Sequence, residues 1–168
     1  ASGKPLRVWS AACSTGDEPY SLVMTLSRLM PLDKIKIIAT DIDKQVLEKA
    51  QVGLYNEKSV AGVPADLKAK YFTKIGEKNY QIADSIKKCV EFKKHNLLTD
   101  PYPKDLDLIV CRNVVIYFTD EAKTEIYKKF NESLKSDCIL FVGSTEQIIN
   151  AKELGYNSIK SFFYRKVN

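Results

Sequence analysis

A single histidine, His95, and four widely spaced cysteines, Cys13, Cys89, Cys111 and Cys138, leave this chain little material for a metal centre. No C-x-x-C pair occurs, which excludes a zinc ribbon and a dithiol redox motif. The thiols read instead as buried or half-buried groups in a reducing compartment. A catalytic cysteine needs a basic partner, and His95 reads as a packing or surface residue rather than a general base. No apolar run approaches the ~20 residues of a membrane span. Ala1-Ser2-Gly3-Lys4-Pro5 has no apolar core of a signal peptide, and no methionine starts the chain, so the sequence reads as processed or as part of something longer. Neither G-x-G-x-x-G nor G-x-x-x-x-G-K-[ST] is present, which removes the two commonest phosphate-binding loops. Internal repeats, low-complexity tracts and linkers are missing too.

What remains is an ordinary globular composition. The 168 residues are 45% hydrophobic and 28% charged, which excludes a disordered or fibrous chain, and they are enough for one domain without disulfide support. Lys and Arg number 26 against 21 Asp and Glu, a net charge of +5 that permits an acidic partner without requiring one.

Leu6–Ala11 reads as a strand, broken by Cys13-Ser14-Thr15-Gly16-Asp17. Pro19 suits the first turn of a helix, with Leu22, Leu26 and Leu29 as its apolar face. Ile35–Thr40 is a second strand ending at Asp41, and Asp43 caps a helix running to about Val52. Strand, helix, strand, helix in some fifty residues predicts a parallel sheet covered by helices, an α/β fold. Pro64–Phe72 holds a short helix, and Tyr71 to about Lys88 reads as a small antiparallel excursion. Strands follow at Cys89–Phe92, Leu106–Cys111, Cys138–Val142 and Phe162–Tyr164. Thr119 caps a helix that carries Ile126, Phe130 and Leu134 as its stripe.

In such sheets ligands sit beyond the carboxyl ends of the strands, where the strand order reverses. After the first strand comes Ser10 to Glu18, a loop of small residues that lets a ligand approach the backbone. Asp41, about 25 residues on, suits the hydroxyls of a ribose. Asp17 and Glu18 repel a pyrophosphate and favour a cationic, phosphate-free nucleoside such as S-adenosylmethionine. On spacing alone they serve equally well as acids at a helix N-terminus. Arg112 and Asn113 follow a buried strand and either meet a ligand or cap nearby backbone. Asn96 is a third position of this kind, and Tyr117 reads equally as a core aromatic with its hydroxyl on backbone.

Taken together, Cys13-Ser14-Thr15-Gly16-Asp17-Glu18-Pro19-Tyr20-Ser21, Ala39-Thr40-Asp41-Ile42-Asp43, Asn96-Leu97-Leu98 and Cys111-Arg112-Asn113-Val114-Val115-Ile116-Tyr117-Phe118 resemble the bacterial chemotaxis receptor methyltransferases, the CheR family. The matches run in family order from about Arg7 to Tyr164. Ala12 stands where many members have glycine, and Gly143-Ser144-Thr145-Glu146 where many have Gly-His-Ser-Glu. The resemblance implies a Rossmann-like S-adenosylmethionine-dependent methyltransferase sheet with a small inserted antiparallel β-subdomain, spanning residues 1–168 with the insertion at about 71–88. It implies transfer of a methyl group from S-adenosylmethionine to glutamate side chains of chemoreceptors, releasing S-adenosylhomocysteine. By the same resemblance Glu18 meets the methionine end of the cofactor, Asp41 the ribose, and Asn96 with Leu97 the adenine. Arg112 and Asn113 lie by the methionyl and sulfonium groups, and Tyr117 by the transferring methyl. No metal is expected. The family's helical N-terminal domain, which supplies a further arginine, has no counterpart in this sequence.

The partner implied is the cytoplasmic domain of methyl-accepting receptors, met by a cytoplasmic monomer that neither inserts in a membrane nor binds nucleic acid. Lys87-Lys88 and Lys93-Lys94 either dock a receptor peptide by strand addition or stand as solvated edge charges. Two other functions compete: a non-catalytic S-adenosylmethionine-binding signalling module, and a nucleic-acid methyltransferase. Against the second, there is no Asn-Pro-Pro-Tyr or Asp-Pro-Pro-Tyr motif and the basic residues are dispersed.

Overall fold

The computed structural model describes residues 3–112, 114, 117–144 and 146–167. Strand β1 (Leu6–Ser10) leads to helix α1 (Asp17–Leu26), then β2 (Ile35–Asp41) and α2 (Lys44–Val52). Next come β3 (Leu54–Asn56), the short helices α3 (Glu57–Val60) and α4 (Ala65–Tyr71), strands β4 (Phe72–Ile75) and β5 (Asn79–Ile82), and the helical turn α5 (Asp84–Lys87). The chain closes with β6 (Val90–Lys94), β7 (Leu106–Cys111), α6 (Asp120–Ser133), β8 (Leu134–Val142), β9 (Tyr156–Lys160) and β10 (Phe163–Lys166).

Seven strands form one sheet in the order β6-β2-β1-β7-β8-β10-β9. The first five in that order run parallel, while β10 is antiparallel to both β8 and β9. This is the α/β sheet the strand–helix alternation predicts. Val8 and Trp9 are neighbours on β1 and therefore point to opposite faces, and each centres a core. Val8 packs with Tyr20, Val23 and Met24 of α1. On the other face, Trp9 packs with Ile126 and Phe130 of α6. Its ring meets Tyr102 at 5.0 Å and Phe130 at 5.3 Å, both edge-on. Pairs of that kind add about 0.5–1.5 kcal/mol each beyond area burial.

The caps fall where the sequence puts them. Asp43 accepts a hydrogen bond from the Gln45 amide at 2.8 Å, and Thr119 accepts one from Ala122 at 3.2 Å. The face of α1 does not. Tyr20, Val23 and Met24 are its buried residues, whereas Leu22 and Leu26 are half-buried and Leu29 lies past the helix end, 78% exposed. The Tyr20 hydroxyl, which donates to the Ala50 carbonyl at 2.6 Å, fixes that rotation. Leu134 is buried as expected but opens β8 rather than closing α6.

A separate three-stranded antiparallel sheet has the order β3-β5-β4. Strands β4 and β5 fall inside the excursion read at Tyr71 to about Lys88, but β3 joins from upstream, so the small sheet begins at Leu54. Among the described residues no helix is long and apolar enough to cross a membrane.

Candidate functional site

Strand β1 has β2 on one side and β7 on the other, so the strand order reverses beside it and a crevice opens beyond its carboxyl end. The loop that leaves β1 stays stitched to both neighbours: the Ala11 amide donates to the Val110 carbonyl and the Cys13 amide to the Thr40 carbonyl, each at 2.9 Å. The buried Thr40 hydroxyl accepts from the Trp9 indole N–H at 2.9 Å and donates to the Ala11 carbonyl at 3.0 Å. Gly16 then turns the chain into α1 at φ 92°. A Cβ there would lie 2.9 Å from the Ala50 Cβ and 3.0 Å from the Tyr55 hydroxyl, so both conformation and space demand glycine.

Asp41, at the end of β2, is half-buried and held at both oxygens. Oδ2 accepts from the Ser14 amide and Oδ1 from the Asp43 amide, each at 3.0 Å. It lines a cleft of about 280 Å³ floored by Ala11 and Ala12. Asn96, Leu97 and Tyr117 line the same cleft, together with the apolar Ile42, Leu98 and Phe118. Asn96 is folded onto its own turn: Oδ1 accepts from the Leu98 amide at 2.9 Å, and its amide donates to Asp100 at 2.8 Å. A ligand is left both Nδ2 donors and one lone pair of Oδ1. Leu97 is a core residue whose carbonyl accepts from the Tyr102 hydroxyl at 2.7 Å. Tyr117 is 83% exposed at the cleft, which excludes the core-aromatic reading.

Glu18 and Arg112 line a second cleft, of about 410 Å³, with Ser21, Leu22 and Phe141. Ala11 belongs to one cleft and Val110 to the other, so the hydrogen bond between them joins the two floors. Glu18 accepts from the fully buried Ser10 hydroxyl at 2.7 Å. Burial raises the Glu18 pKa above its ordinary value, opposed by the Ser10 hydrogen bond and the Arg112 charge. The Arg112 guanidinium lies 5.4 Å from the Phe141 ring, which stacks on Phe163 at 4.4 Å. The residues singled out in the sequence thus divide: Asp41, Asn96, Leu97 and Tyr117 share one cleft, Glu18 and Arg112 the other. Asn113 lies outside the described residues.

Sequence reasoning missed three supports. Ser10 and Thr40 are buried hydroxyls inside strands, and although Thr40 stands within the Ala39–Asp43 motif, nothing in the sequence assigns either hydroxyl a role. Glu146, 4% exposed, reaches the Val114 amide at 3.4 Å and carries its charge toward Glu18 and Cys111. Its available signal was the Gly143-Ser144-Thr145-Glu146 stretch that follows a buried strand. A further cleft of about 730 Å³ is lined by Gln147–Glu153 and the β9–β10 hairpin and holds none of these groups.

Cysteine chemistry finds no support. Burial, with Asp41 adding to it, pushes the Cys13 thiol up to about 12, and Cys111 is raised well above its usual value by burial. The described residues contain no cluster of three metal-binding side chains. His95 lines the Asp41 cleft as well as packing: Nε2 lies 3.0 Å from the Pro101 carbonyl, and the ring meets Trp9 edge-on at 5.4 Å.

Residues 1–162 match the family described as CheR methyltransferase, SAM binding domain. The chain is 44% identical over 161 residues to the chemotaxis protein methyltransferase of Listeria monocytogenes, covering 96% of this chain and 61% of that protein. To the protein of the same name in Escherichia coli it is 40% identical over 147 residues, 83% of this chain and 51% of that one. The chain therefore spans about half to three-fifths of these relatives. A solved TehB-like SAM-dependent methyltransferase from Corynebacterium glutamicum has the same fold, with a TM-score of 0.55 at 13% identity over 98% of this chain and 80% of that one. PKMT2 from Rickettsia typhi, solved in complex with AdoHcy, gives a TM-score of 0.53 at 20% identity over 82% of this chain and 20% of that one.

Proposed function

The chain belongs to the CheR methyltransferase family through its S-adenosylmethionine-binding domain, and from that premise we propose that it transfers a methyl group from S-adenosylmethionine to glutamate carboxylates of bacterial chemoreceptors. The observation that carries the cofactor reading is Asp41, a carboxylate fixed by two backbone amides beside a small-residue floor. Such a group accepts both ribose hydroxyls without reorganising. No lysine or arginine is among the described residues lining that cleft, which suits a phosphate-free nucleoside.

In this reading Ile42 and Leu98 flank the adenine, while Asn96 Nδ2 and the Leu97 segment meet its polar edge. Glu18 draws the cationic methionine end, and Arg112 its carboxylate. The cofactor supplies an electrophilic methyl on a sulfonium, which passes to an acceptor carboxylate oxygen as the sulfur leaves neutral. That acceptor is ionised at neutral pH and needs no base. Opposite charges neutralise in the transition state, so positioning dominates, and oriented reactions draw roughly 7–11 kcal/mol from it. Tyr117, at the cleft and 83% exposed, orients the incoming carboxylate.

Residues 1–168 serve as the methyltransferase domain, and the family's helical N-terminal domain completes the site with its arginine. The protein works as a cytoplasmic monomer on the receptors' cytoplasmic domains. The test is transfer of labelled methyl to a purified receptor cytoplasmic domain by this chain and by a form extended to the relatives' length. Alkali-labile label, the mark of a glutamyl methyl ester, is expected, faster with the longer form. Alkali-stable label, or none from either form, would overturn the proposal.

A further inference from the structure

The three-stranded sheet reaches the cofactor loop through Tyr55. Tyr55, in the middle of β3, donates a hydrogen bond from its hydroxyl to the Thr15 carbonyl at 2.7 Å. Thr15 sits between Ser14, whose amide holds Asp41, and Glu18, which faces the second cleft. The approach is close: the position of a Gly16 Cβ would be 3.0 Å from the same hydroxyl, and the Tyr20 ring stands edge-on to Tyr55 at 6.3 Å.

We propose that Tyr55 is a positioning residue for the cofactor loop, pinning Thr15 so that the Ser14 amide and Glu18 keep their places in the two clefts. The proposal rests on the reading that those clefts hold S-adenosylmethionine. Burial raises the Tyr55 pKa, with the Asp17 charge adding to it, so the hydroxyl stays a donor at neutral pH. The ring itself packs against the buried cluster that holds Tyr20, Val23 and Met24 of α1. Backing of this kind lets one hydroxyl fix a loop. By linkage, cofactor bound to the loop also steadies β3, so the small sheet and the cofactor sense one another.

The experiment compares the chain with its Tyr55→Phe and Tyr80→Phe variants, titrating S-adenosylhomocysteine by calorimetry and following amide exchange with and without it. Tyr55→Phe keeps the ring and removes only the donor. Its dissociation constant should rise roughly three- to tenfold, the usual net worth of one hydrogen bond. Exchange should quicken at residues 13–17 while the β3–β5 ladder keeps its protection. Tyr80→Phe, which loses a hydroxyl from the same sheet, should leave the affinity unchanged. An affinity within twofold of the parent, or loss of ladder protection equal to that of the loop, overturns the positioning role. If the parent chain and its extended form both fail to bind, it is the cofactor reading that falls.

Discussion

Replacing Gly16 with alanine puts the loop geometry to a quantitative test. At φ 92° an L-residue carries left-handed strain of about 1–2 kcal/mol. The added methyl meets Ala50 Cβ at 2.9 Å, Tyr55 Oη at 3.0 Å and Tyr20 Cε2 at 3.1 Å. None of these yields cheaply, since Tyr55 and Tyr20 are both held through their hydroxyls. Overpacking at such a site costs about 1–3 kcal/mol. Together the two effects come to about 2–5 kcal/mol, which for a domain of this size lowers the melting temperature by about 4–20 °C. Two controls separate the contributions. Gly76→Ala meets nothing within 4 Å but shares a positive φ of 67°, so it should show the strain alone. Gly62→Ala has open space and no positive φ, so it should stay within about 0.5 kcal/mol of the parent. Melting curves followed by circular dichroism read all three. A Gly16→Ala protein that melts with Gly62→Ala would refute the argument that crowding and backbone conformation fix this turn.

Glu18→Gln should stabilise the protein as pH rises while weakening cofactor binding. Burial makes the folded state hold the Glu18 proton more tightly than the unfolded chain does, so the parent loses stability as pH climbs from the ordinary carboxylate range through the raised value. The glutamine variant lacks that decline, and melting temperatures from pH 4 to 8 should show the two curves separating in its favour; curves that stay parallel would contradict the burial argument. Thr40→Val removes the shared partner of the Trp9 indole and the Ala11 carbonyl, at about 1–3 kcal/mol for each buried group left unpaired. Urea unfolding should show the loss, and an unchanged midpoint would mean that the relay contributes nothing.

Elements whose local signals agree with their tertiary environment were legible. Strand β2 alternates Ile35, Ile37 and Ala39 inward, and α2 and α6 begin at side chains that cap them. Strands β3 and β9 were not legible, because β3 is three mostly exposed residues and β9 buries only Tyr156. Pairing, with β5 for β3 and with the neighbouring hairpin strand β10 for β9, rather than any pattern of their own, holds them extended. The face of α1 was misjudged because leucines drew attention away from Tyr20 and Met24, whose rotation is set by a hydrogen bond to α2. At the candidate site the motifs name most of the polar residues. They cannot show that Glu18 and Arg112 line a different cleft from Asp41, nor that Ser10 and Thr40 hold the loop between.

The most direct test of the nucleoside site is calorimetric titration of S-adenosylhomocysteine into this chain and its Asp41→Ala variant. Hydrogen bonds to a charged group make the expected loss roughly ten- to a hundredfold in affinity for the variant, with both proteins folded by circular dichroism. Equal binding by the two would contradict the placement of the ribose on Asp41.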